Sequence, residues 1–255
     1  GTCVIPVLFA WIAIWTKKSV RLDRHEFGCI FVLSIFRALT SLALLIGYAN
    51  IASGVASTIH FMYPIVVAFS MMFLFGEKKS PVIIAAIILS VIGACCLASG
   101  DTADVSGGDR VKGIIASAAS VVFYATYVIL LQKTGADRIE STKLTLYVMG
   151  FSAIYFLAGV TAMGGIRIIP EPVGWMYVAG ISIICTMVSN FFLVNAVKNA
   201  GPTLASVFGA LEPLTAVLTG VLFLGERLSV LNIAGIIMIL TTVTIVVIYQ
   251  NKQKA

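Results

Sequence analysis

One pattern of 44 residues occurs twice in this chain, at a fixed offset of 149 residues and without a gap. Residues 54–97 read GVASTIHFMYPIVVAFSMMFLFGEKKSPVIIAAIILSVIGACCL, and residues 203–246 read TLASVFGALEPLTAVLTGVLFLGERLSVLNIAGIIMILTTVTIV. Ala56, Ser57, Pro64, Gly76, Glu77 and Ser80 fall on Ala205, Ser206, Pro213, Gly225, Glu226 and Ser229, and Lys78 falls on Arg227. A chain that repeats itself this way has to fold as two related halves, and in a membrane such halves have a specific meaning.

The membrane setting follows from charge and from the length of the apolar runs. Only 11% of the residues are charged and 60% are hydrophobic, whereas soluble domains carry roughly 25% charged residues. The runs are close to the roughly 20 residues that carry a helix across a bilayer core of about 30 Å. Spans are expected over residues 27–49, 54–75, 81–99, 113–132, 144–163, 174–195, 203–223 and 230–249, with a shorter apolar stretch over 1–16. The expected fold class is therefore an all-α polytopic membrane protein. Its five cysteines (Cys3, Cys29, Cys95, Cys96 and Cys185) lie in apolar runs without metal-ligand spacing and read as packing residues.

The division of the chain follows from the repeat. Residues 1–99 form a first repeat, 100–112 an inter-repeat loop with Asp101, Asp104 and Asp109, 113–249 a second repeat, and 250–255 a tail. At the repeat offset, residue 1 corresponds to Gly150, inside an expected span. About nine spans are visible, and a ten-span parent with its first helix missing here is the expectation. Five spans separate each residue from its counterpart. Five is odd, so the halves are expected to insert with opposite orientation. Lys and Arg sort between the two sides twelve to four: Lys17, Lys18, Arg21, Arg24, Lys78, Lys79, Lys133, Arg138, Lys143, Lys198, Lys252 and Lys254 against Arg110, Lys112, Arg167 and Arg227. The first set is expected in the cytoplasm together with the C-terminus, which fits a plasma (inner) membrane protein. The net charge of +6 is accounted for by this topology and calls for no nucleic-acid partner.

Each copy of the hairpin has readable mechanics. Pro64 and Pro213 lack an N–H and so cannot pair with the carbonyls of His60 and Gly209, four residues back. Gly76 and Gly225 suit helix C-termini, Ser80 and Ser229 suit the following N-caps, and Pro81 suits a first helical position. Glu77 and Glu226 read as interfacial anchors or helix-end charges. The paired motifs YPIVVAFSMMFLFGEKKS and LEPLTAVLTGVLFLGERLS, each a proline followed by an apolar stretch ending in Gly-Glu and a basic residue, resemble the EamA family of the drug/metabolite transporter superfamily. The resemblance covers the whole chain. It implies ten helices in two inverted five-helix repeats around a central cavity, and export or import of amino acids, other metabolites or drugs.

Ionisable groups inside spans are candidates for function because they are costly at depth. Glu212, next to Pro213, can bind a substrate amine or carry a proton, or can serve as a structural ion pair or backbone cap. Its counterpart is Tyr63, so the two halves of the site differ chemically. Arg37 can hold a substrate carboxylate or pair with Glu212. His60 can relay a proton, donate to substrate or simply pack. Asn190 and Tyr124 are further candidates for substrate contact, with Tyr127, Tyr147, Asn195, Ser57 and Thr58 beside them, while the run Ala116–Ser120 reads as close helix packing. Pro64 and Pro213 are the expected hinges.

No Walker-type phosphate loop, paired intramembrane Asp or His-Glu-x-x-His pattern points to catalysis, and no metal or cofactor is implied. The expected function is a secondary transporter working by alternating access on a small-molecule substrate, polar or amphipathic, with protons as the candidate coupling ion and the lipid bilayer as its surroundings, as a monomer or homodimer. A passive channel and an exporter of lipophilic drugs are the alternatives.

Overall fold

The structure is a computed structural model. It describes residues 22–51, 53–77, 80–98, 108–162, 172–180, 188–209, 211, 215 and 229–254. Every regular element among the described residues is helical: α1 (Arg24–Asn50), α2 (Ser53–His60), α3 (Tyr63–Phe73), α4 (Pro81–Ala98), α5 (Arg110–Lys133), α6 (Ser141–Ala162), α7 (Pro172–Gly180), α8 (Ser189–Ala200), α9 (Pro202–Phe208) and α10 (Val230–Lys254), with a short 3-10 turn at Ala136–Arg138. Arg24–Asn50, Arg110–Lys133 and Ser141–Gly159 are each long and apolar enough to cross a membrane. Large side chains such as Leu45 and Ile115 on these helices, Phe69 on α3 and Phe192 on α8 stand exposed, as expected where the solvent is lipid. The stretch at 1–16, Glu212, Pro213 and the second Gly225-Glu226 pair lie outside the described residues.

Local chemistry sets the helix starts. The Asp23 N–H donates to Glu26 Oε2 at 2.9 Å, and Asp23 Oδ1 accepts from the Arg24 N–H; this acidic cap opens α1. Asp109 Oδ1 accepts the Lys112 N–H at the start of α5. Ser80 accepts the Ile83 N–H ahead of Pro81, and Ser229 and Asn232 exchange bonds at the start of α10. Both serines are thus the N-caps that the sequence suggested. The repeat also appears in the element boundaries: α9 starts 149 residues after α2, and α10 starts 149 residues after α4.

The chain divides into two compact units. The first comprises Gly1–Leu39 and Tyr127–Gly201. There the Lys143 ammonium sits 2.6 Å from Glu26, Phe27 and Phe31 meet Phe151 edge to face, and Ser152 donates to the Ser34 carbonyl at 3.2 Å. The Lys198 ammonium donates to the Ile139 carbonyl.

The second unit comprises Thr40–Thr126 and Pro202–Ala255. Its most extensive helix pairing is α4 with α10, which are the equivalent helices of the two copies. The buried residues run along one stripe on each: Ala86, Ser90 and Gly93 on α4, and Gly235, Ile239 and Thr242 on α10. These are counterparts at the repeat offset, so the same face is buried twice. Gly93 makes the approach possible. A Cβ there would stand 2.9 Å from Ile239 Cγ1 and 3.1 Å from the Gly235 carbonyl oxygen. Small residues at a crossing let backbones approach closely, which is how helices associate where lipid removes the hydrophobic drive. Beside this crossing, Ala68, Met72, Ala86, Ile87, Val207 and Val246 form one apolar cluster that seats α9.

Gly93→Val is expected to overpack this crossing and to destabilise the folded protein by about 1–3 kcal/mol. Gly28→Ala, at an exposed helical position with no atom within 4 Å of the added carbon, is expected to leave stability unchanged or raise it. Thermal unfolding in detergent compares them, and equal midpoints would remove Gly93 from the packing account.

Candidate functional site

Pro64 was expected to interrupt a span from within. Instead the chain breaks one turn earlier. α2 ends at His60, Phe61 and Met62 form a turn, and Pro64 lies in the first turn of α3. There its missing N–H costs nothing, because first-turn donors have no intrahelical partner. The turn is closed by the Phe61 N–H on the Ser57 carbonyl at 2.9 Å and the Met62 N–H on the Ile59 carbonyl at 3.1 Å. The proline therefore breaks the helix without straining it.

Three of the candidate residues meet at this break. The His60, Tyr63 and Tyr124 rings lie with centroids 5.6 Å (His60–Tyr63), 5.2 Å (His60–Tyr124) and 4.6 Å (Tyr63–Tyr124) apart, the last pair edge to face. His60 Nδ1 is 2.9 Å from Ser120 Oγ, and Ser120 donates its own proton to the Ser117 carbonyl at 2.6 Å. A hydroxyl has one proton, so Ser120 must accept from His60 and Nδ1 is assigned as the donor. In the neutral ring Nε2 is then the acceptor, able to take a proton or a substrate N–H.

Gly209 completes this cluster. The Tyr63 hydroxyl packs against its α-carbon so closely that an added Cβ would lie 1.8 Å from Oη. Gly209 is the repeat counterpart of His60, so one copy supplies the imidazole and the other supplies the space for Tyr63.

A second polar group lies in the other unit. Tyr127, fully buried, donates to Asn190 Oδ1 at 3.1 Å. Asn190 is 3% exposed, and its Nδ2 has no hydrogen-bond partner among the described residues, nor does the buried Thr145 hydroxyl. A buried amide donor left unmet costs about 1–3 kcal/mol, so the arrangement is primed for an acceptor. Glu212 and Pro213 fall outside the described residues.

The sequence reading missed Ser120, which it placed in a packing run. Ser117 does pack: Gly47 meets its hydroxyl so closely that a Cβ would lie 2.5 Å away. Ser120 has a further role as the acceptor for His60. The signal was present: Ser117, Ser120, Tyr124 and Tyr127 recur at helical spacing, a polar stripe along an apolar span.

A family model described as the EamA-like transporter family matches residues 2–99 and 111–248, nearly the whole chain. The chain belongs to the EamA-like transporter family. As an EamA-like chain it is a multi-pass membrane protein. An uncharacterized transporter of Archaeoglobus fulgidus is 24% identical over 88% of this chain and 77% of its own length. Protein PecM of Dickeya dadantii is 23% identical over 91% of this chain and 74% of its own. A crystal structure at 15% identity matches with a TM-score of 0.79 over all of this chain and 87% of its own, which shows the same fold.

Gly209→Ala is expected to force Tyr63 out of place and to lower stability by about 1–3 kcal/mol. Tyr63→Phe in the same chain removes the clashing oxygen and is expected to restore part of the loss. Melting midpoints of the two single variants and the pair test this, and a silent Gly209→Ala would show that Tyr63 does not occupy that space.

Proposed function

We propose that this EamA-like protein is a secondary transporter that moves a small polar or amphipathic metabolite by alternating access, with amino acids and related compounds the first class to test. The observation that carries the reading is the recurrence of helix starts 149 residues apart, at α2 and α9 and again at α4 and α10. With five spans between counterparts, the repeats 1–99 and 113–249 insert with opposite orientation, and substrate binds between them near the midplane. Pro64 and its counterpart Pro213 serve as the hinges. The orientation places the C-terminus in the cytoplasm of a plasma (inner) membrane.

The substrate groups fall to the residues already described. His60 and Tyr124 offer an acceptor and a ring face near the break, Tyr63 shapes the wall, and Arg37 and Asn190 offer donors to an anionic or carbonyl group. Glu212 supplies a carboxylate for a substrate amine or a coupled proton. A proton gradient is the simplest coupling, because a carboxylate and an imidazole in one apolar interior exchange protons with a moving ligand.

Counterflow of a labelled amino-acid panel in proteoliposomes, with and without a pH gradient, tests the reading. One compound is expected to show saturable, trans-stimulated exchange, and Glu212→Gln is expected to slow it about tenfold, the loss of one charge-assisted contact, with membrane insertion unchanged. Flux that neither saturates nor shows counterflow would mark a channel, and unaltered kinetics in Glu212→Gln would remove that residue from the mechanism.

A further inference from the structure

The Gly-Glu pair that ends the apolar stretch of each copy has a structural reason in the first copy. Gly76 has φ +69°, the left-handed value that favours glycine. With it, the Glu77 N–H reaches back to the Met71 carbonyl at 2.9 Å and the Phe75 N–H to the Ser70 carbonyl at 3.2 Å. These bonds close the end of α3 on its own last carbonyls. The turn fixes where Glu77 goes. At this helix end its carboxylate has a side-chain partner. Oε2 accepts the hydroxyl proton of Thr203, in the first turn of α9, at 2.5 Å.

Several features give this bond more than a packing role. Thr203 is 1% exposed, so a carboxylate has been brought to a buried hydroxyl, a charge-assisted bond of the stronger kind. The bond joins the broken helix of one repeat to the broken helix of the other. Otherwise α9 rests on α3 through apolar contacts, with Leu204, Val207 and Phe208 against Ala68 and Met72, and such contacts allow sliding. Both partners hang from glycine pivots: Gly76 precedes Glu77, and Gly201, at φ +84°, precedes α9. Nearby charge agrees as well, because Lys78 and Lys79 follow Glu77 and Lys198 precedes α9, all in the set assigned to one side of the membrane. The counterpart of Thr203 is Gly54, which has no hydroxyl, so the repeat does not duplicate the bond and it acts at one end of the molecule only.

We propose that the Glu77–Thr203 hydrogen bond is a latch that holds α9 against the end of α3 and closes that end of the transporter, and that it must release for that end to open. Glu77 and Thr203 are positioning residues in this account and touch no substrate. The proposal rests on the alternating-access reading for its purpose, but its test needs no substrate.

The test uses Ala205→Cys as a reporter in a full-length chain whose native cysteines are replaced by alanine. Ala205 lies on α9 and is 4% exposed, so a water-soluble maleimide reaches it only when α9 lifts. In nanodiscs, where both faces are accessible, Glu77→Ala and Thr203→Val are each expected to speed labelling about tenfold, the opening cost of one charge-assisted bond. The double variant is expected to label no faster than either single one, because both remove the same bond. Thr203→Ser keeps the hydroxyl and is expected to label at the parent rate. Unchanged labelling in both single variants, or single effects that multiply in the double variant, would overturn the latch. Melting midpoints separate local lifting from unfolding: a variant whose labelling rises only in step with a general loss of stability counts against the proposal. A latch that passes while the amino-acid panel fails would leave the gate standing and displace only the substrate class.

Discussion

Inside hydrocarbon there is no water to satisfy a backbone group, so every place where a helix stops must supply its own partners. This one requirement organises what is visible of the hairpin. α2 stops at His60, and the turn that follows closes its own hydrogen bonds before Pro64 begins α3 in a position that asks for no donor. α3 stops just before Gly76, whose φ is positive, and the Phe75 and Glu77 N–H groups on either side of it return to the Ser70 and Met71 carbonyls. α4 starts on the Ser80 hydroxyl. Where the chain is broken among the described residues, the breaks are placed so that little backbone is left unmet.

Side chains carry the same accounting into the interior. The polar stripe of α5 would be a liability in lipid, and it is buried among partners: Ser117 under Gly47, Ser120 beneath His60, and Tyr127 on Asn190. Asn190 Nδ2 and the Thr145 hydroxyl, buried without a hydrogen-bond partner among the described residues, lie in the unit that also holds Arg37. Glycine supports this economy from the other direction. Gly93 and Gly209 are empty spaces that neighbouring atoms occupy, the first bringing equivalent helices of the two copies together and the second admitting the Tyr63 hydroxyl.

Much of this could be read from the chain because it depends on local patterns. The repeat announced itself at one offset, and the starts of α9 and α10 fall at that same offset from those of α2 and α4. Ser80 and Ser229 cap as their positions require, and Gly76 ends its helix as its neighbours suggested. The departures come from contacts between segments far apart in sequence. Ser120 looked like one more small residue in a packing run until His60, 60 positions earlier, was found against it. Glu77 read as an interfacial anchor or helix-end charge, and nothing local pointed to its partner Thr203, 126 residues away on the other copy. Pro64 was placed in mid-span because an apolar run does not show that the helix has already ended at His60.

The account as a whole rests on the two copies of the hairpin facing opposite sides of the membrane, since alternating access through paired repeats has no basis without it. The direct measurement is the sidedness of two equivalent loop positions. Lys79→Cys and Leu228→Cys, each alone in a chain otherwise free of cysteine, would be labelled with a membrane-impermeant maleimide added first to one face and then to the other. The account predicts that position 79 reacts from the cytoplasmic face and position 228 from the opposite one. Labelling of both from the same face would contradict the inverted repeat, and the transport mechanism built on it would fall with it.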